Sequence, residues 1–427
     1  TSTDFSSLTS LSVPTKQWTK LLGSSSYDRA YALTTGVDGS IYVSGETNKS
    51  FDGQTFSGGY ADAFISKYNP NGTKDWTRLL GSSEIDRATA LTTGLDGSIY
   101  VSGDTGGSFD GQNFSGGYAD AFISKYNPNG TKDWTRLLGS SAGDEPYALT
   151  TGTDGSIYVG GTTFGSYSGQ TIGLDSQTNS GSYDAFISKY NPTGTKEWTR
   201  LLGSSSQDYA YALTTGLDGS IYVSGSANGN FDGQNNSGGI DAFISKYNPN
   251  GTKDWTKLLG TSVGDDARAL TTGLDGSIYV GGTTGARLDG QTNNGDEDAF
   301  ITKYQVQPQL TFAAGSATAT LVIDPTADTT IEGTETVTVS LAQGTGYELG
   351  ATSAATGTIT NDDVPTISFD TTTASTTEGN SGTQTVTVNA SLSGAAASTV
   401  TVPITVSGTA TAVTDYTNAP TSITIAA

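Results

Sequence analysis

The 427-residue chain contains neither histidine nor cysteine. Ser-His-Asp and Cys-His catalysis and thiolate metal sites are therefore closed to it. What remains is oxygen chemistry: 42 acidic residues face 20 basic ones, for a net charge of −22 and a pI near 4.1. The acids recur at fixed places. Asp28, Asp86, Asp144, Asp208 and Asp265 each follow the glycine of an L-L-G phrase by five residues, and Asp62, Asp120, Asp184, Asp241 and Asp298 each precede Ala-Phe-Ile. Aspartates so placed accept backbone N–H groups in tight turns, and a ring of them also suits cations. A third set sits in D-G-Q loops: Asp52 and Gln54, Asp110 and Gln112, Asp232 and Gln234. Carboxylate, amide and neighbouring aromatics there offer repeated sugar-binding subsites, or only the tips of hairpins. Two carboxylates suffice to hydrolyse a glycoside, but such a pair should break the repeat, and these acids return copy after copy. Asp144-Glu145-Pro146 is the one departure. The chain reads as a non-enzyme.

The elements that must place these residues repeat as well. Tryptophans at 18, 76, 134, 198 and 255 are separated by 58, 58, 64 and 57 residues, and each step carries W-T-K/R-L-L-G, A-L-T-T-G-x-D-G-S-I-Y-V and D-A-F-I-[ST]-K-Y. A fixed period of this length marks a repeat architecture. The apolar runs are short, rich in Ile, Val, Tyr, Phe and Trp, and bounded by Gly, Asn, Asp and Pro, which is strand punctuation with no helical period. In the second copy strands are expected near 89–93, 98–103, 120–126 and 131–138. Gly-Leu-Asp-Gly at 94–97 and Asn-Pro-Asn-Gly at 127–130 supply the turns, with glycine free to take positive φ. Copy three expands its loop between 164 and 182, which accounts for the longer step. Four antiparallel strands per copy suggest the blades of a β-propeller. The first three strands occur five times, while the Trp strand follows only four of them and otherwise stands at 15–22. The expectation is a five-bladed ring over 15–305, locked by that N-terminal strand, after an N-terminal segment 1–14.

These phrases resemble the bacterial and cyanobacterial β-propeller repeat family SBBP, over roughly 15–304. The family's name implies seven blades, whereas this sequence supplies five.

Composition bounds the compartment and the partners. The acidic balance argues against nucleic acid, which needs a basic footprint, and against anionic membrane surfaces. No apolar run approaches bilayer length, and residues 1–13 lack the pattern of a signal peptide. Low charge density with abundant Thr, Ser, Gly and Asn suits an extracellular or cell-surface β-protein. The absence of methionine reads as a processed product or an excerpt.

After Tyr304 the composition shifts to Thr and Ala, with alternation at Val337, Val339 and Leu341, at Val386 and Val388, and at Val400, Val402, Ile404 and Val406. Period-two patterning with one polar face reads as a β-sandwich, and Pro403 puts its strand at an edge. Residues 306–363, with I-E-G-T-E-T-V-T-V and N-D-D, resemble the second half of a Calx-β domain. Residues 364–427, with T-T-E-G-N-S-G and V-S-G-T-A-T-A-V-T-D-Y, resemble the first half, so the halves stand in reversed order. The resemblance implies Ca²⁺ as the bound ion, with ligands at Glu332, Asp362, Asp363, Glu378 and Asp415; the same acids also suit solvated loops. A half sandwich exposes an edge that seeks a partner. Three resolutions stay open: a cut from a longer array, a circular permutant, or completion by the next molecule. The last makes a heterologous contact that propagates. The chain therefore reads as an extracellular structural or adhesive protein, partnered by itself head to tail or by neighbouring Calx-β repeats. The alternative is a multivalent carbohydrate-binding propeller whose partners are surface glycans.

Overall fold

The computed structural model describes residues 16–167, 170–171, 173–305, 316–321, 323, 333–341, 348–360, 365–394, 396, 399–417 and 419–426. The expected N-terminal segment 1–14 lies outside these residues. Two compact units divide the chain, Thr1–Gln309 and Leu310–Ala427. The regular elements are all strands, and no helix occurs among the described residues.

The first unit is a row of antiparallel sheets. Sheet one runs β1 (Asp28–Thr35), β2 (Ile41–Thr47), β3 (Asp62–Tyr68), β4 (Lys74–Leu80) in chain order. Sheet two repeats it with β5 (Asp86–Thr93), β6 (Ile99–Thr105), β7 (Asp120–Tyr126) and β8 (Lys132–Leu138). Sheet three uses β9 (Asp144–Thr151) and β10 (Ile157–Phe164); a small hairpin, β11 (Ser166–Tyr167) with β12 (Gln170–Thr171), precedes its β13 (Tyr183–Tyr190) and β14 (Lys196–Leu202). Sheet four is β15 (Asp208–Thr215), β16 (Ile221–Ala227), β17 (Asp241–Tyr247), β18 (Lys253–Leu259). Sheet five has three strands, β19 (Asp265–Thr272), β20 (Ile278–Thr284) and β21 (Asp298–Tyr304).

The turn chemistry behaves as expected. In sheet two the Gly97 N–H donates to Gly94 O at 3.0 Å, the Ser98 N–H donates to Asp96 Oδ1 at 3.0 Å, and Gly97 takes a φ of 77°. β5 starts three residues earlier than the apolar pattern suggests. The reason is the ladder with β6, which runs on past a bulge between Ala88 and Ala90 to pair Asp86 with Thr105, and the Asp86 N–H also donates to Ala61 O of sheet one at 2.8 Å.

Apolar side chains fill the joints between successive sheets. Ile65, Trp76 and Leu80 of sheet one pack with Ala88, Ile99, Val101, Phe109 and Phe122 of sheet two in one buried cluster. Three tryptophans then lock onto the next sheet. Trp76 Nε1 donates to Pro128 O at 3.1 Å, Trp134 to Pro192 O at 3.2 Å and Trp198 to Pro249 O at 3.2 Å. Gly130 sits beneath the Trp76 ring, where a Cβ would come within 2.7 Å of it. The first strands stand side by side through a threonine ladder, Thr93 Oγ1 donating to Thr35 O and Thr151 Oγ1 to Thr93 O. Trp76 is thus core and Trp134, Trp198 and Trp255 pack against the buried clusters, as expected, whereas Trp18 stays 39% exposed.

Among the described residues no strand ladder joins the row's two ends. β21 is an edge, and residues 16–22 form no strand. Trp18 is held by sheet one instead, its Nε1 donating to Pro70 O at 3.2 Å. The expected strand that would lock a ring is therefore seated at one end of the row and missing from the other.

The described strands of the second unit form three separate pairs: β22 (Glu335–Ser340) with β23 (Ala354–Ile359), β24 (Ile367–Phe369) with β25 (Ala390–Leu392), and β26 (Val400–Pro403) with β27 (Ser422–Ile425). Pro403 lies in a two-stranded sheet, as its missing N–H demands. The alternation at Val386 and Val388 does not yield a strand, because no neighbouring ladder receives it and both side chains stay exposed.

Candidate functional site

The D-G-Q loops form the tip of each sheet, and their carboxylates turn inward. In sheet two Phe109 and Gln112 bridge across a two-residue turn in which Asp110 (φ 53°) and Gly111 (φ 71°) are both left-handed. Asp110 Oδ2 accepts Thr135 Oγ1 at 2.6 Å and the Lys132 ammonium, both from the fourth strand. Asp52 does the same with Thr77, at 2.6 Å, and Lys74. Asp232 binds Lys253, and Gln234 reaches the backbone of the fourth strand, taking the Leu258 N–H at 3.2 Å and donating to Thr256 O. Gln54 and Gln112 close their turns through the backbone, Gln54 N–H to Phe51 O and Gln112 N–H to Phe109 O, each at 2.9 Å. Each loop is a clasp on its own sheet's outer strand.

Sequence reasoning missed the third copy of this clasp. Asp175 binds Lys196 and Thr199, and Gln177 Nε2 donates to Thr199 O at 2.9 Å, so the insertion precedes the clasp and leaves it intact. The signal was Leu-Asp-Ser-Gln-Thr at 174–178 beside Leu-Asp-Gly-Gln-Thr at 288–292. In sheet five Asp289 keeps its left-handed φ of 47°, but among the described residues no fourth strand supplies its partners.

The two recurrent aspartate series meet in one buried belt. Within sheet two Asp86, Thr105 and Asp120 stand opposite one another across three strands, as do Asp144, Thr163 and Asp184 in sheet three. Each carboxylate accepts a local N–H: Asp86 from Ser82 at 2.7 Å, Asp120 from Ser115 at 2.7 Å, Asp144 from Ser140 at 2.6 Å, Asp184 from Ser180 at 2.8 Å. That is the turn-fixing role the spacing predicts. Burial pushes the Asp86, Asp120, Asp144 and Asp208 carboxyls up to about 6, the neighbouring carboxylate adding to the effect.

A third feature is what the repeats do not share. In the first-strand phrase the second and fourth residues vary most: Arg29 and Tyr31, Arg87 and Thr89, Glu145 and Tyr147, Tyr209 and Tyr211, Asp266 and Arg268. They make a continuous stripe. Arg29 pairs with Glu46 at 3.0 Å, and Arg87 joins Glu46 at 3.3 Å to Asp104 at 3.1 Å. Burial lifts the Asp104 carboxyl to about 7 against the pull of Arg87. Tyr147 donates to Glu145 at 2.6 Å and its ring lies 5.7 Å from Tyr211, which stacks on Tyr209 at 5.7 Å and carries the Arg268 guanidinium at 4.6 Å. At the sheet-one end an open cavity of about 310 Å³ is lined by Tyr27, Arg29, Glu46, Asn48 and Tyr60. Sugar hydroxyls suit such acids and guanidinium groups, and sugar faces suit tyrosine rings.

Of the acids implied for calcium, Glu332, Asp362 and Asp363 lie outside the described residues. Glu378 and Asp415 are exposed, and Asp415 Oδ2 is occupied by the Thr411 N–H at 2.7 Å. Among the described residues no three acids gather as a metal site, so these two fit calcium only in company with residues not described.

A row of four-stranded antiparallel sheets joined through their tryptophans defines an all-β repeat protein, and comparison with known proteins places its segments. The SBBP β-propeller repeat model matches residues 197–232, and the Calx-beta domain model matches 289–363 and 360–426. The chain carries SBBP-type repeat and Calx-β segments. It is 27% identical over 231 residues to regulatory protein FlaEY of Caulobacter vibrioides, covering 51% of this chain and 23% of that one. It is 26% identical over 262 residues to a WD repeat-containing protein of Acanthamoeba polyphaga mimivirus, covering 48% of this chain and 19% of that one. The chain thus spans less than a quarter of either relative. Among solved structures it is similar to a catalytically inactive virginiamycin B lyase of Staphylococcus aureus with quinupristin (TM-score 0.33, 15% identity, 68% of this chain and 74% of that one). It is also similar to the extracellular domain of a one-component system of B. thetaiotaomicron (TM-score 0.24, 11% identity, 68% and 40%). No helix among the described residues is long and apolar enough to cross a membrane.

Proposed function

We propose that the protein is an extracellular structural or adhesive component that joins its neighbours head to tail by exchange of Calx-β-like sandwich halves. The observation that carries this reading is the contrast in burial between the units. Among the described residues all four buried apolar clusters lie in the first unit, while the second leaves Phe369, Val386, Val388 and Val406 exposed beside strand pairs with no further neighbour. Unpaired edges with apolar faces are completed by added strands. Within the first unit the same logic closes the ring. The Ser66–Thr77 and Lys67–Trp76 register of sheet one, transferred to β21, sets Thr302 against Thr19 and Lys303 against Trp18. Lys16 and Thr19 then meet Asp289 as Lys74 and Thr77 meet Asp52. The test is electron microscopy and sedimentation of the full chain with and without chelator. Filaments or a concentration-dependent mass support exchange, and calcium is the ion expected to stiffen the joint. A monodisperse monomer at all concentrations overturns it.

A second reading has its own observation, the tyrosine, acid and arginine stripe on the first strands. It favours binding of a surface glycan there, in one graded groove, over several equivalent D-G-Q sites. Glycan-array binding lost in Tyr211→Ala supports it, and binding lost only in Asp110→Ala returns the site to the loops.

A further inference from the structure

The buried aspartate belt holds more negative charge than the fold neutralises. Each joint sets the aspartate that opens a third strand beside the one that opens the next first strand. These pairs are Asp62 with Asp86, Asp120 with Asp144, Asp184 with Asp208 and Asp241 with Asp265, all at most 1% exposed. Backbone bonds hold them together, the Asp144 N–H donating to Ala119 O at 2.7 Å and the Asp265 N–H to Ile240 O at 2.7 Å. The ion pairs among the described residues use other carboxylates throughout. Two like charges out of water are costly unless something positive joins them.

Several oxygens at these joints face no partner. Oδ1 of Asp62, Asp120, Asp144, Asp241 and Asp265 is buried without a hydrogen bond. The joint of sheets two and three adds two neutral donors of the same kind. Thr163 Oγ1, buried on the residue opposite Asp144, faces that carboxylate without a close hydrogen bond, and Oδ1 of Asn179, whose amide nitrogen donates to Thr163 O at 3.0 Å, is buried and unpartnered. The L-L-G glycine makes room for the carboxylates themselves. A Cβ on Gly81 would lie 2.9 Å from Asp86 Oδ2 and 3.0 Å from Asp62 Oδ1, and one on Gly139 would collide with the Asp120 carboxyl carbon at 2.1 Å.

We propose that the joint of sheets two and three binds a hard divalent cation of the calcium class through Asp120, Asp144, Thr163 and Asn179, the other joints offering plainer versions of the site. Oxygen donors alone, two of them anionic, select calcium over softer metals. Two carboxylates set a modest affinity, on the order of the roughly 10⁻⁴–10⁻³ M of extracellular calcium modules. The cation ties one sheet to the next, so it stiffens the row itself and owes nothing to the sandwich halves.

The test is thermal unfolding of the full chain at pH 7.5, in chelator and in millimolar calcium chloride. The parent is expected to gain several degrees with calcium. Glu378→Gln/Asp415→Asn should keep the gain, and Asp120→Asn/Asp144→Asn should lose most of it. In chelator the latter should be at least as stable as the parent, because an amide relieves the repulsion. An undiminished calcium response in Asp120→Asn/Asp144→Asn overturns the proposal. So does a parent that ignores calcium and merely gains stability as the pH falls through about 6, since Asp120 and Asp144 then take up protons instead. If the aspartate variants do not fold, Thr163→Val removes one hydroxyl: weaker calcium binding by titration calorimetry supports the site, and unchanged binding overturns it.

Discussion

Sheets two and five carry almost the same seven-residue phrase in their third strands, DAFISKY and DAFITKY, yet the two strands live differently. Every residue of β7 is buried, whereas β21 alternates between half-buried and exposed, with Ile123 at 2% and Ile301 at 77%. Local sequence is constant, so the difference comes from what packs beside it. β7 has β8 on its outer side and sheet three beyond; among the described residues β21 has neither. Burial in this fold is a property of the joint between repeats, which is how repeat arrays earn their stability.

That contrast can be broken directly. Ile123→Ala should cost about 2–5 kcal/mol, as for other buried isoleucines, while Ile301→Ala should cost under ~0.5 kcal/mol, as for surface changes. Urea unfolding of the two variants checks it. If the N-terminal strand docks on β21 in solution, the second cost rises toward the first, so the pair of values also measures ring closure.

The clasps give a smaller version of the same test. Asp110→Ala strands the Lys132 ammonium and the Thr135 hydroxyl, and losing such charge-assisted bonds should cost about 1–3 kcal/mol. Asp289→Ala breaks no such bond in the row as it stands and should be near neutral. Hydrogen exchange along β8 should speed up in the first variant. A cost at Asp289 equal to that at Asp110 would mean that Lys16 and Thr19 have arrived there.

Which parts were legible in the sequence follows the same division. Strands, turns and their order were readable because each rests on neighbours in sequence: Asp-Gly at 96–97 and Pro-Asn-Gly at 128–130 specify their turns alone. The packing of the tryptophans other than Trp18 and the aspartates as acceptors of turn N–H groups were readable for the same reason. The clasp role of Asp52, Asp110 and Asp232 was not, because their Lys and Thr partners lie more than twenty residues on and only the sheet register aligns them. The stripe from Arg29 to Arg268 was hidden differently. Its members are the residues that fail to repeat, and a search for repeated phrases passes over them. The aspartate belt needed both strand register and the packing of one sheet on the next.

The smallest effect sharpens the comparison by removing it. Gly111 and Gly290 occupy the same turn position in sheets two and five, at φ 71° and 82°. A Cβ at Gly111 would meet nothing within 4 Å, and one at Gly290 would meet only the tip of Arg287 at 3.9 Å. Alanine at either place therefore suffers only the backbone cost of the left-handed region, about 1 kcal/mol. That cost is set within the turn and takes no account of a fourth strand. Gly111→Ala and Gly290→Ala should lower the urea midpoint by the same small amount, although Ile123→Ala and Ile301→Ala do not agree. Unequal values would show that the turn in sheet two is held in shape by its clasp on Lys132 and Thr135, and that the joint reaches further into local structure than the geometry implies.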